Sequence, residues 1–344
     1  MKQQSVRVGW PSASDPAADA AAGGDSGVTT RRVPDFFIAG HPKSGTTALY
    51  EMLSGHPQIF MPKPKELWFL AEELRDRPPP LPGGMARTLE EYLALFEPAR
   101  PGQRVGEATT LYLWSQSAAG AIARLAPQAR VIVVLREPAS FLRSLHLQFV
   151  ESYIETESDL ARAIALEGAR REGRGIPPHT YWPRMLLYSE HVRYVEQLRR
   201  FREALSPEQV LVLIYDDFRR DNEAVLRSVM RFLGVDDAAP IETVEANPTV
   251  AVRSQRLHEL VHAVSVGRGP ASLAVKGTIK ALTPRGLRRR ALRAAEHSVV
   301  YTSPPPPDEH LMLELRRRFR GEVQALSEYL ERDLVALWGY DELG

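Results

Sequence analysis

Cysteine is missing from all 344 residues. Its absence excludes disulfides, thiolate zinc sites and cysteine nucleophiles, and permits a reducing compartment, so the chain is read as cytoplasmic. Neither sign of charge dominates: 44 Lys plus Arg stand against 43 Asp plus Glu. Global charge therefore gives no argument for a nucleic acid or a membrane surface as partner, and any basic site must be local. No apolar stretch approaches the roughly 20 residues of a membrane span. Residues 1–32 lack the apolar run of a signal peptide, and with "SASDPAADAAAGGDSG" in their middle they hold too few large apolar side chains to repay ordering entropy. A flexible tail is expected there.

The hydrophobic content of 44% is that of a globular chain with a real core. Three continuous apolar runs read as strands buried on both faces: "FFIAG" (36–40), "VIVVLRE" (131–137) and "VLVLIYDD" (210–217). Each precedes a helical pattern, namely "TTALYEML", "PASFLRSLHLQFV" and "EAVLRSVMRFL". Repeated strand then helix predicts a three-layer α/β/α fold with a central parallel sheet and ligands at the carboxyl ends of the strands. "RVGEATTLY" (104–112) is a fourth candidate strand, and residues 308–330 form an amphipathic helix that closes the fold. Residues 33–344 are expected to form a single domain. Within it, 267–307 is a basic, loop-rich cap or lid, and its 267–295 stretch carries eight basic residues and no acidic one. Proline and glycine mark 77–84, 173–183 and 303–308 as loops.

The first strand runs into Gly40, His41, Pro42, Lys43, Ser44, Gly45, Thr46 and Thr47. The glycine spacing is that of the nucleotide loop G-x-x-x-x-G-K-S/T, but Thr46 stands where the lysine belongs and Lys43 has moved inward. Gly45 frees the backbone to curl, loop amides converge, and the following helix adds its positive end, so an anion is the natural occupant. An ordinary turn capped by Ser44 or Thr46 would need neither the lysine nor two glycines. A triphosphate enzyme also needs a magnesium carboxylate at the end of a neighbouring strand. "VIVVLRE" delivers Arg136 there instead, a planar fork suited to phosphate, and Ser144 lies eight residues further on.

"HPKSGTTALYEMLSGHPQIFMPKPKELWF" together with "VIVVLREPASFLRS" resembles the sulfotransferases that use 3′-phosphoadenosine 5′-phosphosulfate. Weaker resemblance covers most of residues 34–340. It implies a P-loop-NTPase-like sulfotransferase fold in which Lys43, Ser44, Gly45, Thr46 and Thr47 cradle the 5′-phosphosulfate and Arg136 with Ser144 binds the 3′-phosphate. Tyr188 corresponds to a family tyrosine near the adenine or 3′-phosphate, although on sequence it is equally a core aromatic. Either Arg253 or Lys276 with Gly277 would complete the 3′-phosphate site.

The product would be 3′,5′-bisphosphoadenosine, and no metal is implied. Glu66 resembles the base of the family's K-E-x-x-F-F pattern, with Lys65 matching its lysine, and Lys43 would be the electrostatic catalyst. "GEATTLY" resembles the family's E-K-T-P-x-Y segment, with Ala108 for its lysine and Thr110 for its proline. That departure tells against a sulfated or carboxylated polysaccharide acceptor. Glu107 reads as a second pocket carboxylate or as a strand-end residue bonded to backbone. The acceptor is a hydroxyl of a glycan, lipid or secondary metabolite, held by variable loops that include Tyr181 and Trp182.

Three other readings compete. A magnesium-ATP kinase would take Asp216 or Asp217 as its metal carboxylate. A zinc peptidase would use the H-E-x-x-H string His258, Glu259 and His262. A non-catalytic nucleotide-binding module would keep Arg136 and the loop but have no use for Glu66.

Overall fold

Alternation along the first strand sets up the fold. In the computed structural model, β1 (Phe36–Gly40) points Phe36 and Ile38 into one core cluster, and Phe37 to the other side against Tyr112, at 6.4 Å between ring centroids. The structure describes residues 32–63, 65–75, 86–178, 180, 182–241, 251–252, 301–302 and 304–343. The tail up to residue 31, the loop 77–84, the basic stretch 267–295, Tyr181, Arg253, Lys276 and the H-E-x-x-H string lie outside the described residues.

The described residues group into two compact units. One holds the described parts of 32–41, 46–134 and 200–241; the other holds 42–45, 135–199 and the described part of 245–344. The first contains a five-stranded sheet in the order β2-β3-β1-β4-β5, with β2 at Ile59–Phe60, β3 at Arg104–Ala108, β4 at Arg130–Leu135 and β5 at Val210–Ile214. Pairing is parallel, Phe36 lying level with Gly106 on one side and with Arg130 on the other. This is the α/β architecture with a central parallel sheet that the sequence predicts. Three strands end earlier than expected, β4 stopping at Leu135 rather than at 137. β3 gives way to a 3-10 turn at Thr110–Tyr112, and β5 stops at Ile214, where a helix starts at Tyr215 and takes Asp216 and Asp217 with it.

Helix α1 (Thr46–Ser54) and the helix Asn222–Leu233 cover one face of the sheet through Ala48, Leu49, Leu53, Leu226, Val229 and Leu233. Asp221 caps the second of these helices, and Gly234 at φ 69° ends it in the left-handed region. In the other unit, the helix Pro138–Glu151 begins on a capping carboxylate: Glu137 accepts from the amides of Ala139 at 3.0 Å and Ser140 at 2.7 Å. The helix Glu309–Tyr329 packs against it, and the Tyr340 hydroxyl returns to Glu137 at 2.6 Å. Two-residue strands at Ala251–Val252 and Tyr301–Thr302 pair antiparallel.

Two glycines are fixed by close approach. A Cβ on Gly40 would stand 2.5 Å from the Cβ of Leu113, and one on Gly106 would stand 2.2 Å from Cζ of Phe36 and 2.3 Å from Sδ of Met61. Gly106→Ala should therefore overpack the β1–β3 contact and lower the unfolding free energy by about 1–3 kcal/mol. Denaturant titration checks this, and an unchanged midpoint contradicts it.

Candidate active site

β1 lies between β3 and β4; the chain builds β2 and β3 on one side of it before crossing to β4 and β5 on the other, so its carboxyl end is a topological switch point. The predicted site residues follow three neighbouring strands at that end: 41–47 after β1, Thr109 and Thr110 after β3, and Arg136 after β4. A surface cavity of about 460 Å³ lies at the opposite, amino ends of the strands. Val33, Pro34, Asp35, Arg104 and Arg130 line it, and it holds none of these residues.

The loop after β1 has the curl that the sequence predicts. Gly45 has φ 79°, which glycine adopts freely, and Lys43 has φ 58°, which a side-chain-bearing residue adopts at a cost of about 1–3 kcal/mol. Thr46 opens α1 and is buried, as is Ser44, whose hydroxyl donates to the carbonyl of Pro42 at 3.3 Å. Arg136 donates from Nη1 to the carbonyl of Lys43 at 2.9 Å, so one of its N–H groups braces the loop. The Tyr194 hydroxyl fixes the backbone of Arg136 in turn, donating to its carbonyl at 2.9 Å. Burial pushes the Lys43 ammonium below the usual lysine range; Glu151 opposes that shift and the Arg136 charge adds to it. Arg143 is lowered by burial and then by Arg136. Ser144 lies buried on the helix Pro138–Glu151. A lysine whose protonation is disfavoured by burial and by a neighbouring guanidinium is a donor suited to an anion.

In the unit that holds the sheet, the segment 65–70 supplies the candidate base. Lys65 donates to the Thr47 hydroxyl at 3.1 Å and stands 3.6 Å from Oε1 of Glu66; burial lowers its pKa, with Glu66 and then Glu51 opposing. The Glu66 amide donates to the carbonyl of Ala108 at 2.9 Å, which ties the segment to the end of β3. Its carboxylate accepts from the Thr110 amide at 3.0 Å, the Thr110 hydroxyl at 3.1 Å and Nε1 of Trp68 at 3.3 Å. It is 30% exposed and so open to an incoming hydroxyl. Glu66 and Trp68 are both left-handed, at φ 65° and 54°. Strained backbone at a candidate catalytic residue fits a functional constraint.

Thr110 is the contact that sequence reasoning missed. It stands where the resembled family has proline, and proline has no amide hydrogen to give Glu66. The substitution was visible in the sequence; its consequence needed the geometry.

Two residues are placed otherwise than one of their sequence readings. Tyr188 is wholly buried, and its hydroxyl donates to Glu155 at 3.1 Å, beside Arg170 at 2.8 Å from the same carboxylate, so it belongs to a core cluster. Glu107 is fully buried and bonds side-chain hydroxyls rather than backbone. It accepts from Tyr92 and, at 2.7 Å, from Thr109. As for the kinase reading, Asp217 pairs with Arg220 at 2.9 Å on the helix after β5.

The fold, the loop and the arginine that follows β4 are those of an α/β protein suited to hold an anionic group. The sulfotransferase domain profile matches residues 33–247, and the chain belongs to that family. It is similar to a sulfotransferase from Alicyclobacillus acidocaldarius, at 27% identity and a TM-score of 0.54, covering 75% of this chain and 99% of that one. Among curated proteins it is 29% identical over 167 residues to carbohydrate sulfotransferase 15 of Mus musculus, covering 36% of this chain and 28% of that protein. It is 26% identical over 211 residues to the human bifunctional heparan sulfate N-deacetylase/N-sulfotransferase 3, covering 60% of this chain and 23% of that protein. The chain thus spans about a quarter of the length of these curated relatives. Among the described residues no helix is long and apolar enough to cross a membrane.

Glu107 gives this site a pH signature. Burial raises its pKa to about 7; the Tyr92, Thr109 and Tyr112 hydroxyls pull the other way, and the Glu66 charge adds to the rise. The folded chain therefore holds this proton more tightly than the unfolded chain. The resulting stability is fully present below about pH 4.5 and is lost as pH rises through about 7. Glu107→Gln has no proton to lose, so the unfolding free energy of the wild type minus that of the variant should fall between those pH values and level off above. Urea titrations at a series of pH values check this, and a constant difference contradicts it.

Proposed function

We propose that the chain moves a sulfonyl group from 3′-phosphoadenosine 5′-phosphosulfate to a hydroxyl, without a metal ion. The observation that carries this reading is the pairing after β1 and β4: a lysine inside the anion loop, and an arginine in the place of a magnesium carboxylate, donating to that lysine's carbonyl at 2.9 Å. Family membership supports it. When bound, the donor supplies an activated sulfonyl group on a phosphate oxygen.

The rest is done by side chains of this chain. Glu66 takes the proton of the attacking hydroxyl, its carboxylate aimed by Thr110 and Trp68. Lys43 compensates the charge that grows on the leaving phosphate oxygen, a task that acts on the transition state more than on the ground state. A sulfonyl group in transfer carries less negative charge than a phosphoryl group, so one lysine and the loop amides suffice. Ser44, Gly45, Thr46 and Thr47 hold the 5′-phosphate, and Arg136 with Ser144 selects the 3′-phosphate. Tyr188, committed to Glu155, has no part in this assignment.

The acceptor we propose is a hydroxyl of a glycan, a lipid or a secondary metabolite. The names of the curated relatives favour a glycan, and Ala108 in place of lysine disfavours a highly anionic one. The absence of cysteine suits a cytoplasmic setting.

The test is transfer of sulfur-labelled sulfonyl from the donor into a panel of oligosaccharides, lipids and small alcohols, with mass spectrometry on whatever becomes labelled. Lys43→Ala should lower kcat by about 100-fold or more, as loss of one transition-state charge partner does. Glu66→Gln should lower it by about 100- to 10,000-fold, the range for general-base loss. Label entering no hydroxyl, or a Glu66→Gln variant with full turnover, would overturn the corresponding assignment.

A further inference from the structure

Behind Glu66 lies a buried set of hydroxyls whose protons all run to one carboxyl group. A hydroxyl has a single proton to give. Thr109 Oγ1 accepts from the amides of Leu67 at 2.9 Å and Trp68 at 3.3 Å, so its own proton must go elsewhere, and it goes to Glu107 at 2.7 Å. Tyr112 repeats the arrangement: its hydroxyl accepts from the Leu70 amide at 3.2 Å and is hydrogen-bonded to Glu107. Tyr92 donates to the other oxygen of Glu107 while its ring stacks on Phe69, at 4.5 Å between centroids. One carboxyl group thus collects three hydroxyls, two of which grip the backbone amides of the segment after Glu66.

That segment needs gripping, because Glu66 and Trp68 are held left-handed at φ 65° and 54°. We propose that Glu107 is a positioning residue for Glu66: through the hydroxyls of Thr109 and Tyr112 it locks the left-handed 66–68 turn that aims the catalytic carboxylate. This rests on the reading of Glu66 as base. Above about pH 7, where Glu107 is ionised and where the measurements below are made, glutamine at 107 keeps the size but turns one acceptor into a donor. At least one hydroxyl would then turn its proton back toward the amide it now receives from, and the grip on the turn would loosen.

The experiment uses the full chain as wild type, Glu107→Gln, Thr109→Val and Thr109→Ser, with Thr109→Val as the independent probe should Glu107→Gln fold poorly. Three quantities are read: amide hydrogen exchange at Leu67, Trp68 and Leu70, affinity for 3′,5′-bisphosphoadenosine, and turnover of sulfur-labelled donor in the wild-type and Glu66→Gln backgrounds. In Glu107→Gln and Thr109→Val, exchange at Leu67 and Trp68 should speed up by about tenfold, while Thr109→Ser keeps its protection. Nucleotide affinity should stay within about threefold. Glu107→Gln should lower kcat by about 10- to 100-fold in the wild-type background and by little or nothing further when Glu66 is already Gln, the mark of one residue acting through another.

Unchanged exchange at those amides, or an equal loss of turnover in both backgrounds, overturns the proposal. A parallel fall in nucleotide affinity would show general damage and overturns it as well. If Glu66→Gln alone keeps full turnover, the base assignment fails and the catalytic half of the proposal goes with it; the exchange rates still decide whether Glu107 holds the turn.

Discussion

The constraint on which the rest depends is the position of β1 in the middle of a parallel sheet. Strands in one direction bring their carboxyl ends to one edge, and a central first strand makes neighbours of chain ends far apart in sequence. Gly40, Ala108 and Leu135 end β1, β3 and β4, and each is followed at once by chemistry-bearing residues. The sheet can hold this arrangement because its strand interiors are apolar on both faces, from Phe36 to Ala39 and from Val131 to Leu135. Hydrophobic burial fixes the register, and the polar residues beyond the strand ends are placed by it.

Two carboxylates near the end of β3 show how one short stretch makes different uses of the same group. Glu66 is partly exposed and is met by an amide, a hydroxyl and an indole N–H that leave it facing outward. Glu107 has no exposure and sees only hydroxyls, and burial raises its pKa to about 7. The first environment suits a group that must meet a substrate. The second suits a group that orders other side chains, because an acceptor surrounded by donors dictates which way each proton points.

Much of this was legible in the sequence, for identifiable reasons. Continuous apolar runs in front of helical periodicity gave the sheet, because strands buried on both faces leave no alternation to misread. The loop gave itself away by Lys43 and Gly45, and Arg136 by its place at the end of an apolar strand. The early end of β5 was not legible, since Tyr215 continues the apolar run and no glycine or proline separates it from the helix that takes Asp216 and Asp217. Nor was the role of Glu107: a buried acid and an exposed one look alike in sequence, and the hydroxyls that distinguish them come from Tyr92 and Tyr112, on separate elements. Thr110 lies between these cases, because its departure from the family proline was visible while the bond it permits was not.

The central claim is that Arg136 and the loop at Lys43 recognise an adenosine carrying phosphates at both ends of its ribose without help from a metal. Calorimetry of the full chain with 3′,5′-bisphosphoadenosine in the presence of a chelator tests it most directly, run beside Arg136→Ala and beside ATP with magnesium. The account predicts metal-independent binding of the bisphosphate that weakens by about tenfold or more in Arg136→Ala, the loss expected for a charge-assisted pair. Tighter binding of ATP with magnesium, or a bisphosphate affinity untouched by the substitution, would contradict it.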